Sequence, residues 1–236
     1  MRVQFHRIGA LAVAAALGAF AAATSLGASD SAARQGDAST AAPSAAGLQV
    51  FVESNIREAL SSLGAGAAGS TQRGERFRAL MGRFADINAI STNVLGRYAG
   101  GLRNDAALRR DWEAAFTEYA FATYEDQLDR FRGFTVRANG ETINRPNQDA
   151  IVSTLLTPAN GGRPVTVQWR MLNRGAGWRV YDVLVNLRGN ELWLGLRQKR
   201  QFEAELDKTR GDIRALIAVV RQDTANIRAR LAQMRR

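Results

Sequence analysis

Pro164-Val-Thr-Val-Gln-Trp-Arg-Met171 and Trp178-Arg-Val-Tyr-Asp-Val-Leu-Val185 are separated by a short segment whose end, Asn173 to Gly177, contains two glycines. Apolar side chains recur at every second position in both, the period of a half-buried strand, and the short glycine-bearing joint makes the two antiparallel neighbours. In the first strand Val165, Val167, Trp169 and Met171 share a face, opposite Thr166, Gln168 and Arg170. In the second, simple alternation puts Tyr181, Val183 and Val185 on one face and Trp178, Val180 and Leu184 on the other.

Upstream, Ala150-Ile-Val-Ser-Thr-Leu-Leu156 and Phe134-Thr-Val-Arg-Ala138 have the same period, and Asn160-Gly161-Gly162 supplies the turn into the hairpin. Before Gly133 the period is helical. Val52, Ile56, Leu60 and Leu63 predict a helix over 48–63 that ends in the glycine-rich joint 64–69. Phe77, Leu80, Met81 and Phe84 mark a second helix. A third, capped by Asp86, carries Ile87, Ile90, Val94, Leu95 and Tyr98 and stops at Gly100-Gly101. The fourth, about 104–131, spreads Leu108, Trp112, Phe116, Tyr119, Phe121, Tyr124, Leu128 and Phe131 over too wide an arc for one neighbour to cover. Leu192 to Leu196 either extends the sheet or opens the last helix, whose apolar stripe of Phe202, Leu206, Ile213, Leu216, Ile217 and Val220 is interrupted at Gly211. Helices first, a meandering sheet next and a helix at the end predict an α+β fold, a twisted antiparallel sheet of four to five strands packed with helices.

The chain has 236 residues, no cysteine and a single histidine, His6. His6 lies beside a run that reads as an export signal. Met1 to Arg7 carries two arginines and no acid, Ile8 to Ala23 is apolar, and Ala21-Ala22-Ala23 offers a small-x-small cleavage site. Sixteen apolar residues fall short of the roughly 20 needed to span a bilayer. We therefore expect a signal peptide over 1–23, a flexible Ala/Ser/Gly/Thr-rich leader over 24–47, a folded domain over 48–222, a basic tail over 223–236, and a periplasmic location; an uncleaved anchor is the alternative. The protein left after cleavage would contain neither His nor Cys. That excludes Ser-His-Asp and Cys-His nucleophiles, His- or Cys-based zinc sites and disulfides.

A formal charge of +10 from 32 basic and 22 acidic residues first points to nucleic acid or an anionic membrane. Lys199 and Lys208 are the only lysines, however, and so strong an arginine bias resembles codon usage more than phosphate recognition. No nucleic-acid partner is expected. Residues 197–236 hold eleven basic and five acidic side chains, which reads either as a solvated helix face or as attraction to lipid headgroups or an acidic partner. Neither glycine-rich stretch has a phosphate-loop pattern. Asp182, inside an apolar strand, is either a structural carboxylate or the general base of an enzyme with a raised pKa. The greasy strand faces have two readings as well: ordinary core, or a cavity between sheet and helices lined also by Tyr98, Phe116, Tyr119 and Tyr124.

One ordered set of motifs goes further. Phe84-x-Asp86-Ile87-x-x-Ile90-x-x-x-Val94-Leu95-Gly96-Arg97-Tyr98 is followed by Trp112-x-x-x-Phe116-x-x-Tyr119-x-x-x-x-Tyr124. Pro164-Val165-x-Val167-x-Trp169-Arg170, then Gly177-Trp178-x-Val180-x-Asp182-Val183, and finally Arg197-Gln198-x-x-x-Phe202 complete it. Together they resemble the MlaC (toluene-tolerance) family of periplasmic phospholipid-binding proteins over 48–222. The family's Glu-Gly-Val/Ile-Ser after the Trp-x-Val-x-Asp strand is replaced here by Asn186-Leu187-Arg188-Gly189-Asn190-Glu191, a departure that points to a divergent branch such as the hopanoid-associated relatives.

The resemblance implies an NTF2-like outline around a hydrophobic pocket for acyl chains, no catalysis, and no cofactor beyond the phospholipid cargo. It implies a shuttle between an outer-membrane lipoprotein complex and an inner-membrane ABC transporter complex with its substrate-binding subunit, supporting outer-membrane lipid asymmetry. The lipid-binding residues it points to here are Tyr98, Phe116, Tyr119, Tyr124, Val152, Leu156, Val165, Val167, Trp169, Val183 and Val185. The alternatives are a hopanoid-associated carrier and an NTF2-like enzyme using Asp182 on a hydrophobic substrate.

Overall fold

Alternation in the quoted hairpin becomes the centre of the sheet. The structure, a computed structural model, describes residues 45–64, 70–128, 133–175, 177–187 and 190–234. The expected signal, most of the expected leader, the glycine joint at 65–69 and Phe131 lie outside the described residues. β4 (Val165–Asn173) pairs antiparallel with β5 (Trp178–Leu187), and β3 (Asp149–Thr157) pairs with the other edge of β4. The sheet order is β1-β3-β4-β5-β6, with β1 (Thr135–Ala138) and β6 (Asn190–Trp193) at its ends; β2 (Ile143–Arg145) also pairs with β3. Among the described residues every strand pairs antiparallel with its neighbours, so the α+β expectation holds, with six strands.

One part of the expected pattern is corrected. Arg170 pairs with Asp182 and Met171 with Val180, so Tyr181 is an extra residue opposite the junction, a β-bulge. The bulge resets the alternation: Val180 and Trp178 join Val183 and Val185 on the core face, and Tyr181 leaves it. Tyr181 instead meets the guanidinium groups of Arg170 and Arg174, 5.4 and 5.5 Å from its ring centroid.

Two helices cover the core face. α1 (Ala45–Gly64) contributes Leu48, Val52, Ile56 and Leu60, and α2 (Ser70–Phe84) contributes Leu80, Met81 and Phe84. A second apolar cluster is helical throughout. It joins α3 (Ile87–Asn93), the 3₁₀ segment Gly96–Leu102, α4 (Ala106–Leu128), α5 (Leu194–Lys208) and α6 (Ile213–Met234) around Trp112, Phe116 and Phe202. Asp86 caps α3 as expected, accepting from Ala89 N at 3.0 Å. The wide apolar arc of α4 is explained by its two neighbours, since Phe121 packs in the sheet cluster and Trp112 and Phe116 in the helical one.

The expected interruption at Gly211 separates α5 from α6. Gly211 N donates to Leu206 O at 2.8 Å and Arg210 N to Asp207 O at 3.4 Å, with φ of +55° at Arg210 and +87° at Gly211. This is the paired bonding of a Schellman stop. After it, α6 runs parallel to α4: Arg214 bonds Asp105 at 2.7 Å, and Arg221 and Arg228 bond Asp111 and Glu118 in turn. Part of the arginine excess in the last helix therefore pairs within the protein.

Candidate functional site

The sheet's core face carries a continuous apolar layer. Pairing aligns Val152 with Trp169 and Trp169 with Val183; one step on, Thr154 faces Val167 and Val167 faces Val185; then Leu156 faces Val165. The expected residues Val152, Leu156, Val165, Val167, Trp169, Val183 and Val185 thus stand together in rows across three strands. The polar atoms among them are paired: Trp169 Nε1 donates to Thr154 Oγ1 at 2.8 Å, and that hydroxyl donates to Val167 O at 3.4 Å. The Trp169 indole and the Thr154 hydroxyl are thus satisfied by each other, whereas Trp178 Nε1 on the same face is buried without a hydrogen-bond partner among the described residues.

Helices close over these rows. Phe84 lies 6.0 Å, centroid to centroid, from Trp169 and 5.8 Å from Phe51. Val152, Val167 and Trp169 have no accessible surface, so protein atoms, not space, touch them. The facing side chains Val52, Ile56, Leu60, Leu80, Met81 and Phe84 belong to the same apolar layer. Sequence reading placed them on amphipathic helices but gave them no part in the site; their helical period was the available signal.

The four aromatic residues expected beside this face lie elsewhere or beyond description. Phe116 is in the helical cluster, 5.7 Å from Trp112 and 6.3 Å from Phe202. Tyr119 packs 6.1 Å from Phe202, and burial pushes its phenol pKa up. Tyr98 sits at that cluster's margin, where its hydroxyl bonds Asp207. Tyr124 belongs to α4, and its side chain lies outside the described residues.

Asp182 faces away from the rows. Its Oδ1 accepts from Val183 N and Gly195 N, both at 2.8 Å, which ties β5 to the first turn of α5. Burial raises its pKa, while the two backbone donors and Arg170 oppose the shift. A Cβ on Gly195 would come within 2.9 Å of the carboxylate oxygens, so this turn requires glycine, a need the sequence reading did not identify. Asp149 makes a comparable tie, with Arg170 at 2.8 Å. Among the described residues no group of His, Cys, Asp and Glu is arranged to hold a metal ion. A polar pocket of about 680 Å³ opens between α3, the 3₁₀ segment, the start of α4 and α5, with Asp86, Arg103, Arg109, Glu113 and Lys199 among its lining.

Comparison with known proteins gives this arrangement its place. The profile of the MlaC protein family matches residues 53–222, from within α1 to within α6 and including the whole sheet. The chain belongs to the MlaC family. Among solved structures, this MlaC-family chain resembles the phospholipid-binding protein from Ralstonia solanacearum, determined in complex with a phospholipid. Identity is 22%, the match covers 71% of this chain and 91% of that one, and the TM-score is 0.57. At that identity the likeness is one of fold. No curated protein matches the chain.

Proposed function

We propose that this MlaC-family protein is a phospholipid carrier of the periplasm. It takes acyl chains between the sheet's core face and the α1–α2 layer and shuttles lipid between an outer-membrane lipoprotein complex and an inner-membrane ABC transporter complex with its substrate-binding subunit. The observation that carries this reading is the continuous apolar face of β3, β4 and β5, on which Trp169 and Thr154 pair with each other and which two helices cover. Family membership and the fold shared with a phospholipid-binding protein support it. The amino-terminal pattern over 1–23 supports export, and export places the carrier where it would maintain outer-membrane lipid asymmetry.

Carriage needs burial and exchange but no catalytic group. At about 0.8 kcal/mol per buried CH₂, one acyl chain gains on the order of 10 kcal/mol on leaving water. Release into solvent is then very slow, so delivery takes place by docking, with chains passing between apolar surroundings. Because protein atoms already touch Val152, Val167 and Trp169, cargo enters as α1 and α2 shift from the sheet. Native mass spectrometry of protein drawn from the periplasm, followed by lipid extraction, tests the reading. A mass increment of a diacyl phospholipid is expected; a hopanoid increment would assign the other cargo, and ligand-free protein would overturn carriage.

A further inference from the structure

Where β6 runs into α5, the surface has a character that the cargo layer does not account for. A pocket of about 490 Å³ is lined there by Leu192, Trp193, Leu196, Arg197 and Arg200, with Glu191 as its carboxylate. Leu196 is 42% exposed, a large apolar side chain held in water on the first turn of a helix. Arg197 and Arg200 are the cations of this lining, and after them no acid follows until Glu203. An apolar centre flanked by long cationic side chains is the composition of an interfacial anchor: the apolar groups enter the boundary while the arginine stems reach the headgroups.

Size separates a bilayer from a protein partner. Three apolar side chains fall well short of the roughly 800 Å² per side that a stable protein interface buries. A bilayer sets no such minimum, and its anionic headgroups complement Arg197 and Arg200. The corner is also joined to the cargo layer, since Gly195 N is held by Asp182, whose neighbour Val183 faces that layer.

We propose that the β6–α5 corner is a membrane-contact site that docks the protein on bilayers bearing anionic phospholipid. Leu196 and Trp193 enter the headgroup boundary, and Arg197 and Arg200 meet the lipid phosphates. The inference rests on the carrier reading, because a carrier that meets a bilayer has a surface from which to exchange cargo.

The full chain as purified from cells is sedimented with vesicles of phosphatidylcholine, either pure or with one part in three phosphatidylglycerol. Binding to the anionic vesicles alone, weakened by salt, is expected. Arg197→Glu with Arg200→Glu should reduce it at least tenfold, since each cation near an anionic leaflet is worth roughly a fivefold change. Leu196→Asp should also reduce it, while urea midpoints and co-purifying lipid remain as in the parent. Indifference to both vesicles, or equal binding by the variants, overturns the contact site. Concentration-dependent dimerisation abolished by Leu196→Asp would also overturn it, by giving the patch to a second copy. Vesicle binding by a protein that carries no lipid leaves the contact site standing and removes the carrier reading, so the two failures are distinguishable.

Discussion

Gly195 and Asp182 define each other. The carboxylate occupies the space a Cβ would need, 2.9 Å away, and in return binds the Gly195 amide. Gly195→Ala must therefore displace Asp182 and weaken a charge-assisted bond, and we expect a loss of about 1.5–3 kcal/mol in urea unfolding. Asp182→Asn tests function at the same place, because the amide oxygen still accepts from Gly195 while the charge is gone. A carrier keeps its lipid after this change, as measured by native mass spectrometry; an enzyme on a hydrophobic substrate loses turnover. The pH response has a definite sign. Burial raises the folded pKa of Asp182, so the native state binds more protons than the unfolded chain just above the ordinary aspartate value. Its contribution is therefore greatest below that value and fades as pH rises through the raised folded pKa. Asp182→Asn removes this component, and urea midpoints measured as a function of pH should lose the corresponding downward slope. Glu118, held down by Arg78 and Arg228, has the opposite sign: its contribution is present above the ordinary glutamate pKa and is lost as pH falls through the lowered one.

At the scale of elements, the α5–α6 joint is a tightly constrained turn. Gly211 has φ +87°, and an added Cβ would lie 2.9 Å from the Tyr98 ring, so Gly211→Ala combines left-handed strain with a clash. A loss of about 1–3 kcal/mol is expected in urea unfolding. The joint was legible in the sequence because glycine interrupted a helical stripe. The hairpin was legible because its period of two is strict from Val165 to Met171. The bulge was not: Val180 to Val185 is apolar on both sides of the strand, so nothing in the pattern marked Tyr181 as the extra residue. β2 was missed because Ile143 to Arg145 is three exposed residues with no alternation to read. β6 and the start of α5 merged in the sequence because Trp193, the last strand residue, immediately precedes the first helical turn. The arginine pairing across α4 and α6 depends on two segments about 110 positions apart lying parallel, which no local signal announces.

For the whole molecule, the two larger apolar clusters among the described residues raise the question of which one opens for cargo. Val152, Leu156, Val165, Val167, Trp169, Val183 and Val185 share a face, though Tyr181 does not join them, and strand patterns do not say which helices cover them; Phe116 and Tyr119 belong with Phe202 in the other cluster. In that helical cluster, α4 and α6 are joined by three ion pairs, and Trp112 Nε1 donates to Ser91 O at 2.9 Å. Over the sheet, α1 is tied at its margin by Gln49 Nε2 donating to Gly140 O at 2.7 Å and by Glu53 Oε2 accepting from Ala138 N at 2.8 Å. Exposing the large side chains of α1 and α2 at about 1.5–3 kcal/mol each costs on the order of 10–20 kcal/mol, which two acyl chains taking their place offset. The energetics therefore permit exchange at the sheet, provided that lipid arrives as the helices leave. Hydrogen exchange on delipidated and phospholipid-loaded protein should show altered amide protection concentrated in α1 and α2, with the central strands β3, β4 and β5 unchanged. A change confined to α4, α5 and α6 would place the cargo around Phe116 and Tyr119 and move the carrier site to the helical cluster.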